Sequence, residues 1–363
     1  MKPLFKKTVF SLIPVIVLLI LIEVLLRIFY IPKTTPFVRQ FVNPEWNSEK
    51  TYTIHHKYFW IFEPNTTMGV NNPVIKKEIK INNIGFRGED WKPDDIEKRL
   101  RIMFLGDSCV FGWNIEVDNI ADKIVAHFKE ENPYIFQGGV PGYSSFQIRQ
   151  VFDDWAPKVK PHYVIIYVGT NDVLPRVNKA DSEIYQDDIN FWKRMTIFRL
   201  SYIFALIQDM QYRKRVSKLT SNYYDYYDPW IKKNPGRVSL NESRDNISYI
   251  VRKTLEANAI PIILTRQGDF IKPRFIKNEE EKQKKEKENM PIPVYNRMLL
   301  EVGKKYNAKV IKIHELAEKE DPKKFYHNYP YDEVHPSSYG YDLITKEIIP
   351  VINIKEKNRK LNW

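Results

Sequence analysis

Short apolar runs alternate with stretches of helical spacing over most of the chain after Arg101. The runs lie at Ile102–Leu105, Tyr134–Phe136, Tyr163–Val168, Ala259–Leu264 and Lys309–Ile313. Between them, apolar residues recur at helical spacing, as in Ile120/Ile124/Phe128, Ile247/Ile250/Val251/Leu255 and Val294/Met298/Val302. Apolar strands that alternate with amphipathic helices are typical of a parallel sheet covered on both faces. The pattern predicts an α/β fold, and in such folds the functional residues follow the carboxyl ends of the strands.

A different pattern marks the N-terminus, where a long apolar stretch follows several lysines. The stretch runs from Val9 to Ile31, is preceded by Lys2, Lys6 and Lys7, and contains Glu23 and Arg27, which can pair four residues apart. A helix of about 22 residues rises roughly 33 Å, enough to cross the hydrocarbon core of a bilayer. A cleaved signal peptide is the alternative, but residues 27–32 offer no small-residue cleavage site. We expect residues 1–32 to be an uncleaved transmembrane anchor, with the protein body outside the cytoplasm.

The rest of the chain divides into three predicted segments and an insertion. Residues 33–100 are rich in Pro and Asn, and their aromatics show no clear period, so we predict a stalk and a segment that wraps the next domain. Residues 101–353 form the α/β domain, and 354–363 form a basic tail. Residues 173–240 form an insertion with apolar (197–207), basic (213–218) and aromatic (223–230) parts, and the alternating Glu and Lys of 277–288 favour a solvated helix or loop.

Charge and cysteine content narrow the classes of partner. The net charge is +12 and the pI is near 9.3, so anionic membranes, acidic glycans and nucleic acids would all be attracted. We see no zinc-finger spacing, RNP-like segment or glycine-rich phosphate loop, and nucleic-acid binding is therefore not expected. Cys109 is the one cysteine, which excludes an internal disulfide and a cysteine-based zinc site.

Small and polar residues follow four of the predicted strands. These stretches are Gly106-Asp107-Ser108, Gly138-Gly139-Val140-Pro141-Gly142-Tyr143-Ser144, Gly169-Thr170-Asn171-Asp172, and Asp332-Glu333-Val334-His335-Pro336. A serine at a strand-to-helix turn sits where backbone N–H groups face a developing anion. An Asp three residues before a His can brace one imidazole nitrogen while the other faces a serine. Gly-Asp-Ser alone is weak, because turns favour those residues, so the prediction rests on all four stretches.

These four blocks, in this order, make residues 101–353 resemble the SGNH (GDSL-like) hydrolase superfamily. The resemblance places the family's site residues on Ser108, Gly142, Asn171, and His335 with Asp332. Gly138 and Gly139 are the alternatives for the second block, and we prefer Gly142 because Tyr143 and Ser144 follow it. The anchor and the stretch Asn83-Ile84-Gly85-Phe86-Arg87-Gly88 look like a membrane-tethered bacterial branch of this superfamily.

The resemblance implies a flavodoxin-like three-layer α/β/α sandwich with five parallel strands in the order 2-1-3-4-5. It also implies a serine esterase in which Ser108 is the nucleophile, His335 the base and Asp332 its orienting group. The backbone N–H groups of Ser108 and Gly142 and the side chain of Asn171 would bind the oxyanion. No metal or organic cofactor is expected. The substrate we expect is a short acyl ester, most simply acetyl, on an envelope glycan.

Several alternatives accompany this interpretation. A lysophospholipase or an O-acyltransferase would use the same residues, and a non-catalytic tethered binding protein is a further class. A Cys109 nucleophile is not expected, because the neighbouring position on a turn or helix start points elsewhere. A metal site built on His327, Asp332 and His335 would leave Ser108 and Asn171 unexplained. We expect Asp172 to order its loop, and the histidines at 55, 56, 127, 162 and 314 to be structural or exposed.

Overall fold

The computed structural model describes residues 3–29, 52–55, 57–68, 78–113, 118–174, 180–183, 185, 201, 203, 206, 236–268, 291–330 and 332–363. The chain forms two compact units, one of residues 1–50 with 185–225 and one of residues 51–184 with 226–363. Most of the predicted insertion and the Glu/Lys run at 277–288 lie outside the described residues.

The first unit contains helix α1 (Pro3–Phe29). Glu23 pairs with Arg27 at 2.9 Å, as expected, and also accepts a hydrogen bond from the Ser201 hydroxyl at 2.9 Å. In the described part of the chain, no helix combines the length and the apolar character needed to cross a membrane. The predicted transmembrane helix is therefore not confirmed.

The second unit is built on a five-stranded parallel sheet. Its strands are β5 (Arg101–Gly106), β6 (Tyr134–Gly139), β7 (Tyr163–Tyr167), β8 (Ile260–Leu264) and β9 (Lys309–Ile311). Their spatial order is β6-β5-β7-β8-β9, so the chain starts one strand in from an edge, passes to that edge at β6 and then crosses to the other edge at β9. All four neighbouring pairs are parallel. The predicted α/β fold, its five strands and the order 2-1-3-4-5 are confirmed.

Helices cover this sheet on both faces because successive strand residues point to opposite sides. On one face the strand residues Ile102, Phe104 and Ile165 share a core with α4 (Ile120–His127) and α11 (Ser338–Ile348). On the other face α5 (Ser145–Val159) packs against β5 and α7 (Leu240–Glu256), and α7 packs against α8 (Pro291–Tyr306). Shorter helices are α2 (Pro93–Ile96), α3 (Ser108–Phe111), α6 (Thr170–Val173), α9 (Ile313–Glu318) and α10 (Pro322–Phe325).

The described residues between Tyr52 and β5 include two antiparallel strand pairs. β1 (Tyr52–His55) pairs with β2 (Phe59–Phe62), and β3 (Thr67–Met68) pairs with β4 (Ile79–Lys80). All four β2 residues are buried. A third antiparallel pair, β10 (Tyr326–Asn328) with β11 (Asp332–Pro336), carries the last of the four sequence blocks.

The stretch from Asn83 to Gly88 lies against the edge of the sheet. Arg87 forms an antiparallel bridge to Gln137 of β6, and its buried guanidinium donates to the Phe111 carbonyl at 2.7 Å and to Asp122 at 2.5 Å. The upstream segment therefore holds the end of α3, the helix that begins with Ser108.

The C-terminal residues 354–363, predicted as a basic tail, return to the sheet. They begin with a 3-10 turn at Ile354–Asn358, and the Trp363 indole donates to the Pro161 carbonyl at 2.9 Å.

Candidate active site

Three side chains from the two ends of the domain meet at the carboxyl edge of the sheet. The His335 Nε2 lies 2.8 Å from the Ser108 Oγ, and the His335 Nδ1 lies 2.6 Å from an Asp332 carboxylate oxygen. Ser108 begins α3 directly after β5, whereas His335 and Asp332 lie on β11. In this arrangement the imidazole can take the hydroxyl proton at one nitrogen while its other nitrogen donates to the carboxylate.

The Asp332 carboxylate is held as an anion beside the imidazole. Burial alone would raise its pKa, but the hydrogen bonds from the His335 ring and from the backbone N–H groups of His335 and Val334 outweigh that effect and lower the pKa. The two backbone bonds measure 3.0 and 2.9 Å. One carboxylate oxygen is thereby fixed to the backbone, and the other is left to orient the ring.

Close approach of β5, β6 and α3 places Ser108 at the turn. A Cβ at Gly106 would lie 2.3 Å from the Tyr167 carbonyl oxygen, and one at Gly139 would lie 2.5 Å from Val110 of α3. Asp107 caps α3 by accepting from the Cys109 N–H at 2.9 Å. Only glycine fits these two strand ends, so the Gly106-Asp107-Ser108 sequence lets the helix start against the sheet.

Gly142 occupies a turn, and Gly138 and Gly139 do not. Gly138 and Gly139 lie inside β6, opposite Leu105 and Gly106. Gly142 has φ +85°, and the Tyr143 N–H donates to the Val140 carbonyl at 3.1 Å. Proline followed by a glycine of positive φ in such a bonded turn is the type II β-turn. Of the three glycines, Gly142 therefore has its N–H outside the strand ladder.

Asn171 lies between the serine turn and the glycine turn. Its side-chain amide donates to the Tyr143 carbonyl at 3.1 Å and lies 3.4 Å from an Asp107 carboxylate oxygen. The second contact is long for a hydrogen bond, so one amide N–H is held loosely. Donors in unliganded sites commonly tighten only when the reacting group is bound.

A buried polar cluster lies beneath the serine and makes Cys109 unsuited to nucleophilic attack. The Cys109 thiol is fully buried, and burial raises its pKa to about 12. The Arg266 guanidinium donates to the Cys109 Sγ at 3.3 Å and to the Thr170 hydroxyl at 2.6 Å, and it lies 3.5 Å from the Asp107 carboxylate. The cluster therefore joins the Ser108 turn to the Asn171 turn.

The other polar residues considered from sequence occupy structural positions. Asp172 is buried and accepts from the Ser145 N–H, the Ser243 hydroxyl and the Tyr295 hydroxyl, while burial raises its pKa. Burial disfavours the charged form of a histidine as well, and it therefore lowers the pKa of His162 to about 4 and also lowers the pKa of His314. Within the described part of the chain, no group of three His, Cys, Asp or Glu side chains is arranged to hold a metal ion. His56 lies outside the described residues.

Sequence reasoning missed the residues that hold the Gly142 turn. Trp60 donates from its indole to the Pro141 carbonyl at 3.2 Å, and Arg237 donates to the Gly142 carbonyl at 2.7 Å. Arg237 also forms a fully buried pair with Asp181 at 2.9 Å. Trp60 lies in a segment without periodicity, and Asp181 and Arg237 lie near opposite ends of the insertion, so no local pattern links them. The helix α5 that follows the turn had a visible signal, Ser144 with Gln147 three residues later.

Comparison with known proteins supports the interpretation from geometry. A family model described as the GDSL-like lipase/acylhydrolase family matches residues 104–343, more than half of the chain. No curated protein sequence matches the chain significantly.

Several solved structures are similar at low identity. A lipase/acylhydrolase from Enterococcus faecalis shares 16% identity with a TM-score of 0.43, covering 72% of this chain and 97% of that one. A catalytic mutant of an acetylxylan esterase from Geobacillus stearothermophilus shares 16% identity with a TM-score of 0.39, covering 71% and 94%. A GDSL-like lipase from Bacteroides thetaiotaomicron shares 16% identity with a TM-score of 0.40, covering 70% and 89%.

The family match spans all five strands of the sheet, from Phe104 of β5 onward, together with both ends of the Ser108–His335 contact. The chain belongs to the GDSL-like lipase/acylhydrolase family and is a hydrolase that acts on ester bonds.

Proposed function

We propose that this esterase works through a covalent acyl intermediate on Ser108. The observation that carries the proposal is the unbroken contact from Ser108 to His335 to Asp332, at 2.8 and 2.6 Å. As the serine oxygen bonds to the ester carbonyl carbon, its proton passes to the His335 Nε2. The imidazolium then gives that proton to the departing alkoxide, and the alcohol leaves. Water attacks the acyl-serine by the same route in reverse and releases the acid.

The negative charge on the carbonyl oxygen needs donors at the moment it forms. The backbone N–H groups of Ser108 and Gly142 and the side-chain amide of Asn171 would fill this role. One such donor is worth about 2.7–4 kcal/mol of barrier in enzymes of this kind. Asn171 would exchange its 3.4 Å contact with Asp107 for the oxyanion, so the donor is gained at little cost.

The substrate class we propose is a short acyl ester, most simply acetyl, on an acidic glycan. The net charge of +12 favours acidic polymers over neutral ones. A lysophospholipase would also fit a cationic, membrane-associated esterase, and an acyltransferase would differ only in the acceptor that resolves the acyl-serine. The aromatic and basic parts of the insertion, which motivate the glycan from sequence, lie outside the described residues.

Attachment to a membrane, with the catalytic unit outside the cytoplasm, is also part of the proposal. The α1 side chains from Leu12 to Ile28 include many exposed apolar groups, such as Ile20 at 58% and Ile28 at 65% exposure. An apolar surface of this extent on a helix needs a bilayer or a protein partner to cover it. Fractionation of the full-length chain, with protease added to intact cells, tests this. Recovery in the soluble fraction would contradict it.

A panel of p-nitrophenyl esters from acetyl to octanoyl tests the catalytic and substrate proposals together. We expect the acetyl ester to have the highest kcat/KM, and Ser108→Ala to lower turnover by about 10³–10⁶-fold while leaving the fold intact. A fluorophosphonate probe should label the wild type and not Ser108→Ala. Faster turnover of octanoyl esters, or of lysophospholipid micelles, would favour the lipid alternative.

A further inference from the structure

One peptide unit in the Gly142 turn is bonded to a residue far upstream of the hydrolase domain. The carbonyl of Pro141 accepts a hydrogen bond from the Trp60 indole N–H at 3.2 Å. This carbonyl and the Gly142 N–H belong to the same peptide plane, and in a trans peptide the two groups point in opposite directions. A donor that fixes the carbonyl on one side therefore fixes the direction of the N–H on the other side.

This peptide unit is the one that can reverse in a β-turn. The turn runs from Val140 to Tyr143, so the Pro141–Gly142 peptide is its central unit. Types I and II differ by a reversal of that unit: the glycine φ moves from about +80° to about −90° while the ends of the turn stay in place. Glycine tolerates both signs of φ. In this structure φ of Gly142 is +85°, so the turn is type II.

Trp60 is itself held in place by its neighbours, so its indole can keep the Pro141–Gly142 peptide in the type II orientation. It is fully buried in β2, and its own carbonyl accepts from the Tyr143 hydroxyl at 2.5 Å. The Trp60 and Tyr143 rings meet edge to face with centroids 5.6 Å apart. Trp60 thus contacts the residues on both sides of Gly142, through its indole N–H at Pro141 and through its carbonyl at Tyr143.

Arg237 completes the enclosure of the turn. Its guanidinium donates to the Gly142 carbonyl at 2.7 Å and is neutralised by the buried Asp181 carboxylate at 2.9 Å. This bond fixes the peptide after Gly142, whereas the Trp60 bond fixes the peptide before it. Only the Trp60 bond is lost directly when the central unit reverses.

We propose that Trp60 is a positioning residue that keeps the Gly142 N–H directed at the oxyanion. Without the indole donor, the central peptide can reverse and present its carbonyl oxygen where the oxyanion forms, which would repel the transition state. The inference deepens the proposed function, because it rests on Ser108 catalysis and on Gly142 as a donor. It assigns a part of the site to the segment before residue 101, outside the region that matches the family model.

The variant Trp60→Phe tests the inference, because it removes the indole N–H and keeps an aromatic ring. In the full-length protein, kcat for the acetyl ester should fall by at least about 10-fold, and KM should change little. The upper limit is the loss of about 10²–10³-fold expected when one oxyanion donor is removed completely. The rate of fluorophosphonate labelling of Ser108 should fall in parallel. The pH profile of kcat/KM should keep its shape, because the Ser108–His335–Asp332 contacts are not touched.

Trp363→Phe is the matched control. Its indole also donates to a proline carbonyl, that of Pro161 at 2.9 Å, but it does so at the opposite end of β7. Its kcat and labelling rate should equal those of the wild type. If Trp60→Phe does not fold, a benzothienylalanine at position 60, which has the shape of tryptophan without the N–H, provides the same test.

The outcomes separate the two proposals. If the wild type is labelled and Trp60→Phe reacts at the wild-type rate, the positioning role is wrong and the proposed function stands. An equal loss in Trp363→Phe, or a loss seen in KM and folded fraction instead of kcat, also overturns it. If the wild type is neither labelled nor active, Ser108 is not an activated nucleophile, and both proposals fall together.

Discussion

At the scale of single residues, the adjacent side chains of Ser108 and Cys109 point in different directions, and only Ser108 reaches the catalytic histidine. Ser108 starts α3 with its hydroxyl 2.8 Å from the His335 ring, while the Cys109 thiol points into the polar cluster under the turn. A thiol is the better nucleophile only as a thiolate, and burial raises the Cys109 pKa to about 12. Side-chain direction at a helix start, more than residue chemistry, therefore decides which of the two can react.

Cys109→Ala should consequently be a mild change. We expect kcat for the acetyl ester to stay within a few-fold of the wild type and fluorophosphonate labelling to persist, because the thiol does not reach the substrate. Iodoacetamide should leave the folded wild type unmodified at pH 8 and react after unfolding. Complete loss of labelling in this variant, with the fold intact, would assign the nucleophile to the thiol.

The role proposed for Asp332 leads to a second prediction at this scale. Asp332→Asn removes the charge that stabilises the imidazolium but leaves a side chain of the same shape, so kcat should fall by about 10³–10⁴-fold with KM little changed. The double variant with His335→Ala should be hardly slower than His335→Ala alone, because the pair acts as a unit. Asp94→Asn, an exposed carboxylate on α2, is the charge-matched control and should be fully active.

The site residues divide into those that sequence could indicate and those it could not. Ser108 and Asn171 each directly follow a predicted strand, so a parallel sheet alone places them near one another. His335 is brought to them by β11, which lies beyond the last strand of that sheet. Trp60 and Arg237 are brought to the Gly142 turn by a hairpin and by the closing end of the insertion. Those contacts depend on tertiary packing, which no local spacing encodes.

At the scale of elements, the approach of β6 to α3 sets the position of the nucleophile. The end of β6 contacts α3 through Gly139, where an added Cβ would lie 2.5 Å from Val110 and 2.9 Å from the Phe111 nitrogen. Gly139→Ala should push α3 from the sheet, lower the free energy of unfolding by about 1–3 kcal/mol and reduce kcat at least 10-fold.

A comparable overpacking away from the site separates the two effects. An added Cβ at Gly303 of α8 would lie 2.2 Å from a Val310 methyl group. Gly303→Ala should lower the free energy of unfolding by a similar amount and leave kcat of the folded protein unchanged. Chemical denaturation and single-substrate kinetics on both variants provide the measurement. Equal losses of kcat in the two would contradict a specific role for the β6–α3 contact.

Elements differ in how visible they are in the sequence. The strands β5 to β8 are buried along almost their whole length, so they appear in the sequence as short apolar runs that predicted their positions to within a few residues. The strands β1 to β4 are only two to four residues long, too short for a period to identify them. The four apolar residues of β2 lie in a segment whose aromatics show no clear period. The helix α5 directly follows the glycine turn, and Ser144 with Gln147 three residues later forms the capping box at its start.

At the scale of the whole molecule, a buried histidine, His162, joins neighbouring strands at the amino edge of the sheet, and its protonation should affect stability. His162 accepts from the Arg101 N–H at its ring Nδ1 at 3.0 Å, and its backbone bonds to Arg101 and Ile260 at 2.8 Å each. Burial, with the nearby Arg101 charge, lowers its pKa to about 4. The unfolded chain, in which the imidazole pKa is near 6.5, therefore binds more protons between these two values.

Stability should accordingly fall as the pH falls. The contribution of neutral His162 is fully present above about pH 6.5 and is lost progressively as the pH decreases toward 4. His162→Asn, whose carbonyl oxygen can accept from the Arg101 N–H, should show a flatter dependence of the urea midpoint on pH over this range. His127→Gln, on the exposed end of α4, should keep the wild-type slope. Parallel curves for all three proteins would remove His162 from this role.

The order of the strands in the sheet was predicted correctly only through the resemblance to a known family. Apolar runs gave the number of strands and their parallel direction, but no spacing in the chain states that β6 lies outside β5. The transmembrane helix is a contrasting case. The apolar stretch at the N-terminus predicted a span, but among the described residues no helix has the length and apolar character of one.

The two ends of the insertion are fastened to each other at its base. The Arg237 N–H donates to the Leu174 carbonyl at 2.8 Å, the Asp181 N–H donates to the Arg237 carbonyl at 3.0 Å, and their buried charges pair. A loop whose ends are already joined can change length at little entropic cost to the rest of the chain. In evolution, the segment between Asp181 and Arg237 could therefore be lengthened, shortened or replaced while the hydrogen bond from Arg237 to the Gly142 carbonyl is kept. For protein engineering, the same two residues mark where a foreign recognition domain can be grafted onto the esterase.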